Sequence, residues 1–292
     1  MIDDDDRTPL TIAQALHVAA DRLAHIAGDD ARLESEVLLA HVLRAGRAHL
    51  LARLQDDLAP DVSALFEALL ARRLAREPLA YITGRREFYG MEFECTPAAL
   101  IPRPETELLV ELALEDLRAR HAGARLADIG TGSGAIAIAL TANAPGARIT
   151  AIDASPAALA LARRNAARAG VTEHINFRAG DLLDGGDVFD VIVANLPYVR
   201  ESDWRQLPPE IRDHEPREAL VGGVEGTETI ERLLAIAPAH LTADGLLAAE
   251  IGADQRDRVL AAARACFPAA TVCVIKDLAA LDRVLVVRNG GG

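Results

Sequence analysis

Along the first 76 residues, apolar side chains recur at helical spacing. Ile12, Leu16, Ala19, Leu23 and Ile26 form one stripe, and Thr11 with Gln14 is a capping-box pair that starts it. Asp29 and Asp30 stand where they can cap a second helix carrying Leu33, Val37, Leu38 and Val42, with Gly46 placed to end it. A shorter segment from Leu50 to Leu54 and a fourth helix with Val62, Leu65, Phe66, Leu69 and Leu70 complete a small helical bundle. His17, His25, His41 and His49 are scattered through it, so no chemistry is expected there.

Glu77-Pro78 ends the helical run, because proline disfavours helical backbone in the residue before it and cannot continue the hydrogen-bond ladder. The segment Tyr81 to Phe93 reads as a hairpin with Gly84 and Gly90 at turns. From Ala124 onward strand-length apolar runs alternate with helical stretches. Strands are predicted near Leu126 to Ile129, Ile149 to Ile152, Ile175 to Phe177, Val188 to Ala194, Leu246 to Ile251, Thr271 to Ile275 and Val284 to Val287. Such alternation predicts a parallel sheet wrapped on both faces, with ligands at the carboxyl ends of its strands. The expected organisation is a bundle over residues 1–76, a hairpin connector over 77–100 and an α/β domain over 101–292.

Composition narrows the function. The chain has 292 residues, 50% hydrophobic and 26% charged, as in an ordinary globular protein long enough for two domains. With 31 basic and 44 acidic residues its formal charge is −13. That balance repels a phosphate backbone, and the doublets Arg85-Arg86 and Arg163-Arg164 are too few to line a duplex groove. Cys95, Cys266 and Cys273 show no Cys-x-x-Cys spacing, so neither a metal nor a disulfide framework is expected, and the reducing cytoplasm is the simplest compartment. Met1-Ile2 followed by an Asp run is the opposite of a signal peptide's basic start, and no long apolar run suggests a membrane span. The Asp run and Gly290-Gly291-Gly292 are expected to fray.

Chemistry enters at the strand ends. The first strand of the α/β region runs into Asp128-Ile129-Gly130-Thr131-Gly132-Ser133-Gly134 and then the apolar helix Ala135 to Leu140. Glycines let backbone approach a ligand closely, and amides at a helix N-terminus favour an anionic group. Gly130, Gly132 and Ala135 also satisfy the dinucleotide fingerprint, so the loop alone signals only a nucleotide or nucleoside. Asp153 ends the next strand, where a carboxylate can accept hydrogen bonds from ribose hydroxyls. The fourth strand ends in Asn195-Leu196-Pro197-Tyr198. An amide nitrogen is a poor nucleophile, because its lone pair is delocalised into the carbonyl. If the Asn195 side-chain oxygen and the Leu196 backbone carbonyl accept its two N–H bonds, the lone pair is aimed at a methyl donor and the growing positive charge is stabilised. Tyr198 can pack against the planar group. The methylated cation is acidic enough to lose its proton to water, so no strong base is required.

Asn195 to Tyr198 resembles the Asn-Pro-Pro-Tyr signature of S-adenosylmethionine-dependent enzymes that methylate planar, amide-like nitrogens. The chain as a whole resembles the bacterial release-factor glutamine methyltransferases, the HemK-like protein-(glutamine-N5) methyltransferases. The likeness runs through Pro78 to Gly84, Phe88-Tyr89-Gly90, Ile101-Pro102-Arg103-Pro104-Glu105-Thr106-Glu107, Asp128 to Gly134, Asp153 and Asn195 to Tyr198. It continues in Glu215 to Leu220, Gly222-Gly223 and Glu250-Ile251-Gly252. The resemblance implies an α/β fold, the Rossmann-like doubly wound sheet of S-adenosylmethionine-dependent methyltransferases with a small N-terminal helical bundle. It also implies methyl transfer from S-adenosyl-L-methionine to N5 of the glutamine in the Gly-Gly-Gln loop of class I peptide-chain release factors, in the cytoplasm. Asn195, Leu196, Pro197 and Tyr198 would be the catalytic residues. The cofactor would lie against Arg103 at its methionine end, Asp128, Gly130, Thr131, Gly132, Ser133, Gly134, Asp153 and Asn195, with Asp181 and Leu182 near its adenine. Two departures stand out: Leu196 where the family usually has proline, and Ala280-Leu281 where it has Gly-Arg.

A glutamine in a ribosomal protein is a close alternative substrate. The exocyclic amine of adenine presents a similar planar nitrogen but would need base flipping, against which the acidic balance speaks. A nucleotide-binding module or dehydrogenase using the glycine loop leaves Asn195 to Tyr198 unexplained. The bundle is expected to dock the release factor.

Overall fold

The structure, a computed structural model, describes residues 10–120 and 122–290; the Asp run and Gly291-Gly292 lie outside the described residues. Helix α1 (Ile12–Ala27) opens with the reciprocal box at Thr11 and Gln14, each side chain accepting from the other's backbone N–H. Its buried stripe packs with Leu38 and Leu39 of α2 (Ala31–Val42) and, past α3 (Arg47–Leu51), with Phe66 and Leu70 of α4 (Pro60–Leu74). Asp29 and Asp30 do not cap α2 through their side chains; they lie in a tight helical turn that leads into it. Gly46 does not end α2 either. The helix stops at Val42, Arg44 adopts a left-handed φ of 49°, and Gly46 is the N-cap of α3. Leu33 and Leu65, expected in the stripe, are 41% and 59% exposed.

The segment Leu79–Thr83 is a helix, α5, and not a hairpin arm. Pro78 sits at its N-cap, Gly84 closes it with a left-handed φ of 73°, and Ile82 enters the bundle core. The bundle therefore runs on past residue 76, and the two compact units divide between Gly84 and Arg85. The hairpin itself is β1 (Arg85–Phe88) and β2 (Met91–Glu94), turned at Tyr89 and Gly90, both with positive φ. Phe88 and Phe93 anchor it in the core of the second unit, about 1.5–3 kcal/mol each when fully buried.

The strands that follow are β3 (Arg125–Ile129), β4 (Arg148–Asp153), β5 (Ile175–Ala179), β6 (Phe189–Ala194), β7 (Val199–Arg200), β8 (Val221–Gly223), β9 (Leu241–Glu250), β10 (Thr271–Lys276) and β11 (Asp282–Arg288). Seven of them form one sheet in the order β10-β11-β9-β6-β3-β4-β5, while β7 and β8 pair separately. All neighbours run parallel except β11, which is antiparallel to both β9 and β10. A five-residue turn joins β10 to β11, too short for the crossover that a parallel pair needs.

Side chains alternate across the sheet. Leu126, Ile149, Val191, Val193, Leu246 and Val284 face one core with α6 (Glu107–Ala119), α7 (Ala135–Asn143) and α8 (Pro156–Ala169). Ala127, Ile129, Ile152, Ile192, Leu247 and Leu285 face the other, filled by α10 (Glu228–Ile236) and α11 (Arg256–Cys266), with the one-turn α9 (Pro209–Arg212) on the intervening loop. Period-two alternation with both faces apolar is what a doubly covered sheet requires. Chain order reverses between β3 and β6, so the loops leaving these two strands splay apart and leave a crevice. No helix among the described residues is long and apolar enough to cross a membrane.

Candidate active site

The crevice is a cavity of about 440 Å³, within the range that takes a nucleoside-sized ligand. Gly130, Thr131, Gly132 and Ser133 line it, with Asp153, Asp181, Leu182, Asn195, Leu196, Pro197 and Arg103. Residues from five separate stretches of the predicted site thus meet in one place.

The loop after β3 is shaped by glycines with left-handed φ. A Cβ on Gly130 would lie 3.0 Å from Leu196 Cδ2, and one on Gly134 would press Ile138 and Ala162 at 3.0 and 3.1 Å. Gly132 has more room, its nearest neighbour for a Cβ being Ala99 at 3.8 Å, so its φ of 56° and not crowding demands glycine there. Several loop amides are already used: Gly130 and Thr131 donate to the Ile152 carbonyl, Gly132 to Asp153 Oδ2 at 2.8 Å, and Gly134 to the Thr131 carbonyl. Among the described residues, the N–H groups of Ser133, Ala135 and Ile136 have no protein acceptor, which leaves the first turn of α7 to serve a ligand. Asn165, 2% exposed, braces the loop by donating to the Ser133 carbonyl.

Asp153 accepts from Gly132 and from the Ser155 N–H, one bond per oxygen, and each oxygen keeps a lone pair for a further donor. Asp128 stands elsewhere. It is fully buried behind the loop and absent from the cavity wall, with Oδ2 accepting from the Thr131 hydroxyl and the Ala137 N–H and with Oδ1 unpartnered. Its geometry is that of a group that shapes the loop from beneath. Burial, reinforced by the nearby charge of Asp153 and opposed by those two hydrogen bonds, pushes its pKa up to about 7.

A stability consequence follows from that shift. The unfolded chain releases this proton near 3.8 and the folded protein near 7, so between those values the folded state holds a proton that the unfolded state has lost. Stability is therefore shed as pH rises through that window and levels off above it. Asp128→Asn keeps one acceptor oxygen and never ionises. In thermal melts of the ligand-free protein the difference in stability from the wild type should shift in its favour between pH 4 and 7, by on the order of 4 kcal/mol, whatever fixed cost the buried NH2 group adds at every pH. A gap that does not change with pH would show that Asp128 titrates normally.

At the end of β6, Asn195 and Leu196 reach the cavity. Leu196, in the place where the family usually has proline, is 6% exposed and packs into the core beside Gly130. Packing thus replaces ring rigidity in fixing the loop. The strand β7 pairs with β8, and a Cβ on Gly222 would collide with the Pro197 carbonyl, so the Gly222-Gly223 stretch backs the tetrapeptide directly. Asn195 Nδ2 donates to Thr106 Oγ1 at 3.0 Å, and Thr106 Oγ1 donates to Glu250 Oε2 at 2.7 Å. Tyr198 does not line the cavity; its hydroxyl donates to Glu250 Oε1 at 3.2 Å.

Arg103 also lines the cavity, ion-paired with Glu215, whose other oxygen accepts the Ile101 N–H at 3.1 Å. The guanidinium is thereby held in place beside the ligand space. At the opposite rim Asp181 pairs with Arg232 at 2.5 Å, and Leu182 takes a left-handed φ of 64° that turns its side chain into the core. Thr106, Glu215 and Glu250 received no role from sequence reasoning, although each lies within a stretch that carries the family resemblance. The signal was their presence in those stretches; their partners are too distant along the chain to be read from it.

The PrmC N-terminal domain family matches residues 14–84, and the methyltransferase small domain family matches residues 105–207. A release factor glutamine methyltransferase of Moorella thermoacetica is 43% identical over 276 residues, spanning 94% of this chain and 97% of that relative. Another, from Geobacter sulfurreducens, is 42% identical over 252 residues, 86% of this chain and 87% of the relative. Among solved structures, a methyltransferase from Pyrococcus furiosus shares the fold with a TM-score of 0.50 at 20% identity, covering 75% of this chain and 97% of that one. With a switch-point cavity that joins the glycine loop to Asn195, and with relatives alike along nearly their whole length, the chain belongs to the release factor glutamine methyltransferase family.

Proposed function

We propose that this chain binds S-adenosyl-L-methionine in the switch-point cavity and methylates the side-chain N5 of the glutamine in the Gly-Gly-Gln loop of class I release factors. The residues present suit that cofactor. Asp153 keeps lone pairs for ribose hydroxyls, the unused amides of the α7 first turn suit the carboxylate of the methionine moiety, and the space near Leu182 and Asp181 takes the adenine. When bound, the cofactor supplies a methyl group made electrophilic by a positive sulfonium.

The observation that carries the reading is the setting of Asn195. Its Nδ2 is engaged by Thr106, while Oδ1 takes no hydrogen bond among the described residues. Asn195 Oδ1 and the Leu196 carbonyl are the acceptors assigned to the two N–H bonds of a substrate amide. They turn its lone pair toward the methyl donor and stabilise the charge that grows on nitrogen as the N–C bond forms and the S–C bond breaks. The nitrogen then gives up one proton to water. Arg103, neutralised by Glu215, keeps the methionine end in place without adding net positive charge beside the sulfonium. Because release factors act on ribosomes, the proposed place of work is the cytoplasm.

The test is transfer of labelled methyl from S-adenosyl-L-methionine to a purified class I release factor. Label should enter the intact factor and should be lost when its loop glutamine is replaced by alanine. Label in a ribosomal protein instead, or in nucleic acid, would reassign the substrate.

A further inference from the structure

Thr106 occupies the N-cap position of α6, where a threonine hydroxyl ordinarily accepts from a backbone N–H of the first turn. Here it does not cap. It sits instead between Asn195 Nδ2, at 3.0 Å, and Glu250 Oε2, at 2.7 Å. A hydroxyl has one proton to give. Toward an ionised carboxylate, which only accepts, Thr106 must donate, so toward Asn195 it must accept. The side of Asn195 that faces Thr106 is then its NH2 group, and the oxygen is left for the cavity. With Tyr198 donating to the other carboxylate oxygen, both oxygens of Glu250 are occupied as acceptors.

We propose that Thr106, Glu250 and Tyr198 form a hydrogen-bond relay that sets the flip state of the Asn195 amide, so that Oδ1 and not Nδ2 meets the substrate nitrogen. The proposal rests on the glutamine-methylation reading and adds three positioning residues to it. An acceptor suits the N–H bonds of a glutamine amide. The same oxygen facing the carboxylate of a glutamate would be repelled, so the relay also excludes the deamidated form of the substrate.

Ionised Glu250 is what directs the chain of donors. The carboxyl is 2% exposed, and burial raises its pKa, opposed by the Thr106 and Tyr198 hydroxyls and by Arg283, while Glu105 adds to the rise. Arg283 is itself paired with Asp277, and Arg103 acts on Tyr198 from the cavity side. Protonated Glu250 could donate to Thr106, freeing the threonine proton for Asn195 and letting the amide turn over. Lower pH should therefore depress turnover through the raised pKa of Glu250.

The decisive variants are Thr106→Val, of equal shape but with no hydroxyl, and Thr106→Ser, which restores it, both in the full chain. Thr106→Val should lower kcat about ten-fold or more, with cofactor affinity by calorimetry within two-fold of wild type, and Thr106→Ser should recover most of the loss. Inhibition by a release factor carrying glutamate in its Gly-Gly-Gln position should strengthen several-fold in Thr106→Val, a change that loosened packing alone would not produce. Should Thr106→Val fail to fold, Glu250→Gln provides the second arm: its side chain has no carboxyl to titrate, so the acid limb of the kcat profile should disappear. Wild-type kcat in folded Thr106→Val, or an acid limb that survives in Glu250→Gln, would overturn the relay alone. A wild-type enzyme that transfers no methyl to the release factor would overturn the underlying reading, and the relay with it.

Discussion

Replacing Asn195 by alanine should lower turnover by about 10²-fold or more while leaving the affinity for S-adenosyl-L-methionine nearly unchanged. The expectation follows from what the side chain does and does not touch. Among the described residues its one side-chain bond goes to Thr106, and Oδ1 is unclaimed, so the fold asks little of it and the reaction much. Asp153→Ala should behave in the opposite way. It removes a carboxylate that orients Gly132 and awaits the ribose, and cofactor affinity should fall roughly ten-fold or more. Calorimetry and single-turnover rates on the two variants separate the roles. Equal loss of binding and turnover in Asn195→Ala would make it a residue of the cofactor site or the fold.

Removing residues 1–84 should abolish methylation of an intact release factor yet leave cofactor binding almost untouched. Every residue that lines the cavity belongs to the second unit, which has its own cores on both faces of the sheet. A single glutamine side chain offers far less surface than the roughly 1,200 Å² typical of a specific protein interface, so choosing one glutamine requires contacts away from the chemistry. The bundle is the proposed surface for them, with Val18, Leu33, Leu51 and Leu65 exposed. A short Gly-Gly-Gln peptide at high concentration should still be methylated slowly by the truncated protein. Full activity of that protein on the intact factor would refute a docking role for the bundle.

The parts of this molecule that were legible in its sequence are those governed by local periodicity. Strands such as Val191-Ile192-Val193 are apolar at every position because each face meets its own layer of helices, and that pattern survives without knowledge of any partner. The glycine loop, Asp153 and Asn195 to Pro197 were legible for a related reason: each lies at or just beyond the end of a strand, and topology takes them to one crevice. Local signals misled where a longer-range contact decided the outcome. Tyr81, Ile82 and Thr83 favour strand by propensity, yet they form a helix because Pro78 and Gly84 cap it and Ile82 is buried with the bundle. Leu33 and Leu65 fit a helical stripe whose true centre lies at Leu38, Leu39 and Phe66. The antiparallel course of β11 left no trace in hydrophobicity, since a strand buried on both faces reads alike in either direction. Thr106 is legible in the sequence only as part of a stretch that carries the resemblance, and only the strand ending in Glu250 shows where its hydroxyl goes.

The bond between Thr106 and Glu250 joins residues 144 positions apart, whereas the bond from Gly132 to Asp153 spans 21. Loop-closure entropy makes the longer connection costlier by about 1.7 kcal/mol, so the two halves of the site have different histories during folding. The bond between the glycine loop and Asp153 closes within two neighbouring strands. The catalytic half waits for β6 to pair with β3 and then β9 with β6, contacts of high sequence separation that form slowly. On the ribosome the order is the same, because Glu250 is synthesised well after the glycine loop. A chain caught part-way therefore has its glycine loop tied to Asp153 before Asn195 is set by Thr106 and Glu250, and the whole site is assembled only with the completed sheet.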